Sequence, residues 1–301
     1  MELVSNSLVS IKPFSPVEFS RRPRELKRTW NRLKGTELRR LLLYDGLKVF
    51  NHLDKNLFNN FLLLHSAIHI LSSENLRDFL DIADAIIQEF VSHSARVFGR
   101  QFVVYNVHSL RHIVQECEEH GTVQEFDAFR YENYLGVLKR LLRSGYKSLQ
   151  QVYNRDSERN GHLCRPKEHV DENNALLSQA HVREGGELLH GLQYQKIELR
   201  DVTLALNQRD RCFVTPDSDI ILLSNIVQED NGNIALIGRK FMHKENVYEI
   251  PIPSSHLGIW KVSALEDTRH AWDFAAFSRK CYLIPDADCF IAVPLIHFIQ
   301  H

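Results

Sequence analysis

The 301-residue chain lacks the features that define several classes of protein. Its 37 Lys and Arg are balanced by 38 Asp and Glu, so the whole chain is neither a polycation nor an acidic tail. Its five cysteines form no CxxC pair, which favours free thiols over a disulfide framework. The sequence has no run of about 18 apolar residues, as a membrane span needs, and its start does not resemble a signal peptide. We therefore expect an intracellular protein, nuclear or cytoplasmic, that is not secreted and has no membrane partner.

Motifs of common catalytic sites are also absent. The sequence contains no glycine-rich phosphate loop, no Gly-x-Ser-x-Gly elbow and no His-Glu-x-x-His motif. Two histidine pairs, His65 with His69 and His108 with His112, have the i, i+4 spacing of metal ligands. No further ligand at a suitable spacing completes a zinc site. We interpret both pairs as histidines at the edge of a core and expect no metal site within this chain alone.

Positive charge is concentrated in one segment. Residues 21–40 contain nine Lys or Arg and only two Glu. Such an excess suits a phosphate backbone, although a solvated basic arm explains it as well. The candidate nucleic-acid-binding residues of this segment are Arg21, Arg22, Arg24, Lys27 and Arg28.

The hydrophobic pattern divides the chain into four segments. Residues 1–35, with prolines and many charges, predict an extended basic arm. Residues 36–154 have apolar side chains at helical spacing and predict an all-α bundle. Residues 155–187 are polar and non-periodic and predict a linker. Residues 188–301 contain short alternating stretches between turn signals, which are typical of a small antiparallel β-barrel or sandwich. The predicted fold class is α+β.

Glu132 is an unusual acid in a predicted helix, FRYENYLGVLKRLLR, over residues 129–143. It lies in a narrow stripe with Gly136, Lys139 and Arg143. Beside this stripe runs an apolar face of Tyr131, Tyr134, Leu135, Leu138, Leu141 and Leu142. No basic residue lies one turn from Glu132, so the acid has no ion-pair partner on its own helix. It is either solvated or reserved for a group outside that helix.

Two stretches resemble the C-terminal portion of CACTA-type (En/Spm-like) DNA transposases of an invertebrate transposon group. They are LFNNFLLLHSAIHILSSENL and VVYNVHSLRHIVQECEEHGTVQEFDAFRYENYLGVLKRLLR. The family's hallmark resembles N-x-H-x-x-x-H followed by F-E-x-x-x-G-x-L-K, and the matching residues here are Asn106, His108, His112, Glu132, Gly136, Leu138 and Lys139. Tyr131 stands where the family has Phe. The resemblance covers roughly residues 18–301.

The resemblance implies DNA strand transfer, in which three acids of a ribonuclease-H-like fold hold two divalent ions. By this analogy Glu132 is the third acid, Glu37 is the alternative candidate, and Lys139 and Arg143 face phosphates. The two other acids should come from strands before the helices, which residues 1–35 cannot form. We therefore expect a transposon-derived, catalytically incomplete fragment, a ribonuclease-H-like remnant. Mg²⁺ is expected only for a complete transposase.

The expected partners are DNA and either the missing transposase half or a second copy of the chain. Two alternatives stay open. The chain could instead be a host protein-interaction module with no DNA role, or part of an active metal-dependent DNA transposase. We do not expect catalysis from this chain on its own.

Overall fold

The chain has an α+β fold, as the sequence predicts, with helices in the N-terminal half and an antiparallel sheet in the C-terminal half. The computed structural model describes residues 2–27, 29–162, 175–181, 190–199 and 201–296. Across these ranges, no helix combines the length and the apolar character that crossing a membrane requires.

Two long helices, α4 and α5, form the centre of the N-terminal half, and shorter helices surround them. The helices are α1 Glu2–Ile11, α2 Gly35–Arg40, α3 Gly46–Val49, α4 Lys55–Leu71, α5 Leu80–Phe98, α6 Tyr105–Ser109, α7 Ile113–His120, α8 Val123–Phe126, α9 Phe129–Leu141 and α10 Ser148–His162. One π-helical turn, Leu41–Asp45, joins α2 to α3. α4 begins where the Asp54 carboxylate accepts a hydrogen bond from the Asn56 N–H at 2.8 Å, which satisfies a free donor of the first turn.

The first residues are helical rather than extended. α1 directs Val4, Leu8 and Ile11 inward, and all three are buried. The Leu26 N–H donates to the Ser5 hydroxyl oxygen at 3.0 Å, which ties the following segment to α1. The prediction of an extended arm over residues 1–35 is therefore wrong for α1. The apolar spacing of three and four residues before the first proline forms a short helix because the rest of the fold covers it.

The predicted linker, residues 155–187, is partly regular structure. α10 continues to His162, and a strand, β1, occupies Leu176–His181. The remaining linker residues, 163–174 and 182–187, lie outside the described residues. The polar composition of this segment reflects a solvent-exposed helix and a strand at one end of the sheet.

The described strands form one continuous antiparallel sheet. After β1 they are β2 Leu192–Glu198, β3 Thr203–Ala205, β4 Cys212–Val214, β5 Ile220–Gln228, β6 Ile234–Glu245, β7 Trp260–Leu265, β8 His270–Asp273, β9 Arg279–Asp286 and β10 Cys289–Pro294. Their order is β1-β2-β5-β4-β9-β10-β7-β6-β8, and β3 pairs with β2. An additional pairing of β5 with β6 closes a circuit of six strands, which removes open edges from that part of the sheet.

The helices and the sheet share one hydrophobic core. A single cluster of buried residues includes Leu43 and Ile70 from the helical half and Tyr282 and Ile291 from β9 and β10. The rings of Tyr44 and Tyr282 lie 6.4 Å apart inside it. The core therefore runs across the predicted boundary between the helical and β-rich segments.

A buried charge network joins the beginning of the chain to its last strands. The Lys280 ammonium, with a fully buried side chain, donates to Glu18 at 2.7 and 2.8 Å and to Asp210 at 2.7 Å. It also donates to the Thr203 carbonyl oxygen at 2.7 Å. The Val17 N–H donates to the Asp210 carboxylate at 3.0 Å. The Arg209 Nε also donates to Asp210 at 3.0 Å, so two cations face the two acids. The acids are tolerated in the interior because their oxygens accept these hydrogen bonds.

Candidate nucleic-acid interface

The N-terminal end of α9 is attached to the helical body. The Phe129 N–H, in the first residue of α9, donates to the Asp127 carboxylate at 3.0 Å. Arg39 forms an ion pair with Asp127 at 3.3 Å, and its guanidinium lies 5.2 Å from the centre of the Phe129 ring. Arg39 therefore contacts the start of α9 through both Asp127 and Phe129.

α9 and α10 form a hairpin. α9 ends at Leu141 because Leu142 is extended, with φ −83° and ψ 128°. The Gln151 side chain accepts a hydrogen bond from the Arg143 N–H at 2.9 Å and donates to the Ser144 carbonyl oxygen at 3.1 Å, which holds the connection together. Arg143 consequently lies in this connection, and the predicted helical stripe through Glu132, Lys139 and Arg143 is wrong at its last member.

Several apolar and aromatic side chains of the hairpin are exposed. None of the described side chains of α9 or α10 is buried. The exposed fractions are 70% for Tyr131, 51% for Tyr134, 62% for Leu135, 74% for Tyr146, 87% for Leu149 and 69% for Tyr153. The helical spacing in α9 was therefore predicted correctly, and Tyr131, Tyr134 and Leu135 of its apolar face are exposed.

Cations lie among these exposed tyrosines. Lys139, Arg140, Arg143 and Lys147 are all exposed, and none forms an ion pair with an acid of the described residues. The Lys147 ammonium lies 5.3 Å from the centre of the neighbouring Tyr146 ring. We call these four cations together with Tyr131, Tyr134, Tyr146 and Tyr153 the hairpin surface. Its positive charge is available to an external anion.

Glu132 is exposed on α9. The described residues contain no group of three or more His, Cys, Asp or Glu placed to hold a metal ion. They therefore offer no set of carboxylates that fits a pair of Mg²⁺ ions around Glu132, and we assign no catalytic step to it. Its role as a metal ligand stays a prediction, as does the absence of a cofactor. Nothing lies within 4 Å of a Cβ built at Gly136, so this glycine makes no close approach to another described part of the chain.

Glu37, the alternative acid, has a structural role at the start of α2. Its buried carboxylate accepts hydrogen bonds from Arg24 at 2.7 and 2.9 Å and from the Lys34 N–H at 2.9 Å. Burial raises the pKa of Glu37, but the Lys34 and Arg24 hydrogen bonds lower the pKa by more, so it lies below the ordinary value. Glu37 is thus occupied by partners within the chain, which argues against a role as a metal ligand.

The predicted basic arm is partly neutralised by the same contacts. Arg24 is held by Glu37, and the Lys27 ammonium lies 3.9 Å from the Glu2 carboxylate. Arg21 and Arg22 are exposed, while Arg28 lies outside the described residues. The hairpin surface therefore offers more unpaired cations for phosphate than this arm does.

The two histidine pairs have opposite environments. His108 and His112 are both exposed, with ring centres 5.9 Å apart. His65 and His69 are fully buried in α4, and burial lowers the pKa of His65 to about 4 and that of His69 to about 3. The His65 Nδ1 lies 2.7 Å from the Leu42 carbonyl oxygen. This pair lies inside the core rather than at its edge.

Part of the hairpin surface was missed by the sequence analysis. Arg140, Tyr146, Lys147 and Tyr153 lie outside the stripe of Glu132, so the spacing along that stripe does not point to them. A signal was present: residues 129–155 contain six Lys or Arg and one acid. Charge counted over the hairpin, rather than along one helical stripe, would have found these residues.

Comparison with known families gives one match. A family model described as a domain of unknown function (DUF8592) matches residues 180–295. The matched region begins at the end of β1 and runs through β10. No curated protein and no solved structure matches the chain. The match covers less than half of the sequence and lies outside α9 and α10.

Proposed function

We propose that this chain is a transposon-derived, catalytically incomplete protein that binds DNA through the hairpin surface. The observation that carries the proposal is the set of four exposed cations with no acid partner in the described residues, placed among four exposed tyrosines. The resemblance to CACTA-type transposases supports DNA rather than another polyanion.

The hairpin surface has two kinds of side chain that suit a nucleic acid, cations and aromatic rings. Lys and Arg neutralise backbone phosphates and release counterions, which favours binding to any sequence. Exposed aromatic rings stack on bases that are not enclosed in a duplex. The hairpin extends from the body on the Arg39 and Asp127 attachment. This places the charges of Lys139, Arg140, Arg143 and Lys147 outside the folded core.

A protein-interaction module is the second candidate. Leu149 is 87% exposed and Leu135 is 62% exposed, and exposed apolar side chains of this size often mark a protein interface. On this alternative the hairpin packs against a protein partner, or against a second copy of the chain. Binding would then depend weakly on salt.

A salt titration of DNA affinity tests the proposal. We expect a labelled DNA duplex to bind, as measured by fluorescence anisotropy. Four phosphate contacts give a slope of log affinity against log salt of about −3.6, so affinity falls roughly 150-fold between 50 and 200 mM salt. The triple variant Lys139→Gln, Arg140→Gln, Arg143→Gln should reduce the slope to about −0.9.

A second triple variant provides a control with the same change of charge. Lys12→Gln, Lys55→Gln and Arg100→Gln remove three exposed cations that belong to elements other than α9 and α10. This control should keep most of the affinity and of the salt slope. Failure of the wild-type chain to bind DNA at 50 mM salt, or equal losses in both triple variants, would contradict the proposal. Mg²⁺-dependent nicking that disappears in Glu132→Ala would instead support an active transposase.

A further inference from the structure

A cavity of about 370 Å³ lies in the sheet. Its polar lining consists of His181, Gln195, Arg211, Ser224 and Arg239. These side chains come from β1, β2, β5, β6 and the residue before β4. The lining thus contains two arginines and no acid from the described residues. Every lining residue falls inside the region matched by the family of unknown function.

β5 runs between the two arginines. The Leu223 N–H donates to the Arg211 carbonyl oxygen at 2.7 Å, and Leu222 lies opposite Arg239 in the register of β5 and β6. That register shifts directly after Leu223, at Ser224. Such irregularities redirect side chains and are frequent beside binding sites. Arg211 therefore lies on one side of β5, next to Leu223, and Arg239 lies on the other side, next to Leu222.

The charge of the two arginines is not satisfied by the described protein. Arg211 Nε is buried without a hydrogen-bond partner in the described ranges. Neither Arg211 nor Arg239 forms an ion pair there. A buried charged donor without an acceptor is unfavourable. A ligand that supplied oxygen acceptors would remove this penalty.

The other walls of the cavity limit what kind of ligand fits. Leu206, Leu222 and Leu223 provide an apolar surface. The Asn225 side chain holds the His181 ring at 3.1 Å and donates to Gln193 at 2.8 Å, so the polar wall is fixed in place. A volume of this size corresponds to a small organic molecule.

We propose that the cavity binds a small organic phosphate ester. Two guanidinium groups match the charge of a phosphate monoester, which is close to −2 at neutral pH, and their planar donors pair with its oxygens in a fixed geometry. The leucines contact the organic part. A monocarboxylate leaves one guanidinium uncompensated and binds more weakly. This site is separate from the hairpin surface and does not depend on DNA binding.

Calorimetric titration of the full chain with phenyl phosphate tests the proposal. We expect phenyl phosphate to bind at least tenfold more tightly than benzoate, and phenol not to bind, because phenol lacks the anion. Inorganic phosphate should bind less tightly than phenyl phosphate, since it has no apolar part. Arg211→Gln and Arg239→Gln should each weaken phenyl phosphate binding at least tenfold, whereas the exposed control Arg100→Gln should change it less than twofold.

Further variants keep the test decisive. If Arg211→Gln fails to fold, Arg211→Lys and Arg239→Gln replace it; the lysine keeps the charge but loses the planar pair of donors, so binding should still weaken. The proposal is overturned if phenyl phosphate does not bind at about 10 mM, where even a weak ligand is detectable, or if folded Arg239→Gln binds it as the wild type does. The hairpin triple variant should bind phenyl phosphate normally, which separates this outcome from the DNA-binding result.

Discussion

The buried histidine pair of α4 makes the fold sensitive to mild acid. In the unfolded chain both rings accept a proton near pH 6.5. In the folded chain burial lowers the pKa of His65 to about 4 and of His69 to about 3, so both stay neutral at pH 5. The unfolded state then binds more protons than the folded state. By linkage, stability is complete above pH 6.5 and is lost as pH falls below that value.

The size of the loss follows from the distance between pH 5 and the unfolded pKa. The difference between the unfolded pKa and pH 5 is about 1.5 pH units, and each unit costs about 1.4 kcal/mol of stability for each histidine. Each histidine therefore accounts for a loss of about 2 kcal/mol. Together they remove about 4 kcal/mol between pH 7 and pH 5. Most small domains are stable by only about 5–15 kcal/mol, so the loss is roughly a quarter or more of the total. The effect levels off below about pH 4 for His65 and below about pH 3 for His69, as each ring protonates in the folded state.

Urea unfolding, followed by tryptophan fluorescence at pH 7 and at pH 5, measures this loss. In His69→Leu we expect the difference between the two pH values to fall by about half, because one titrating ring is gone. Any packing change caused by leucine affects both pH values and cancels in the difference. His52→Gln, at an exposed ring, should leave the difference unchanged. A wild-type loss of less than about 1 kcal/mol, or an undiminished loss in His69→Leu, would refute the reasoning.

Two further predictions concern the buried ion pairs of Lys280 and the space around two glycines. Among the described residues, Lys280→Met leaves Glu18 without a cation and Asp210 with Arg209 alone. We expect about 3–5 kcal/mol of lost stability in urea unfolding, against a change within about 0.5 kcal/mol for the exposed control Lys55→Met. Gly238→Ala places a Cβ 2.7 Å from a β5 carbonyl oxygen and should destabilise by about 1–3 kcal/mol. Gly136→Ala, in open space on α9, should stabilise by about 0.5–1 kcal/mol; equal effects of the two alanines would contradict the described packing.

Local patterns in the sequence were sufficient for the fold class. Apolar spacing identified the helical half, and short alternating stretches identified the antiparallel half. α1 was missed because a helix of ten residues is marginal alone and depends on the fold that covers it. β1 was missed because a half-exposed strand has a polar composition like that of a linker.

The candidate site was only partly accessible to sequence reasoning. Periodicity placed Glu132, Tyr131 and Lys139 on a helix, but it cannot show whether the rest of the chain covers that helix. The partner of Glu37 is Arg24, which lies in an irregular segment, so the i, i+4 rule used for ion pairs within a helix does not find it. Contacts of this kind join residues from different elements, so local patterns in the sequence do not reveal them.

The Lys280 network also has a consequence for synthesis on the ribosome. Glu18 and Lys280 are 262 positions apart, and translation adds roughly 5–20 residues per second. The acidic side chain therefore emerges roughly 13–50 s before the only lysine that contacts it in the described structure. During that delay the nascent N-terminal helices lack the strands that complete their core, and chaperones have time to bind them.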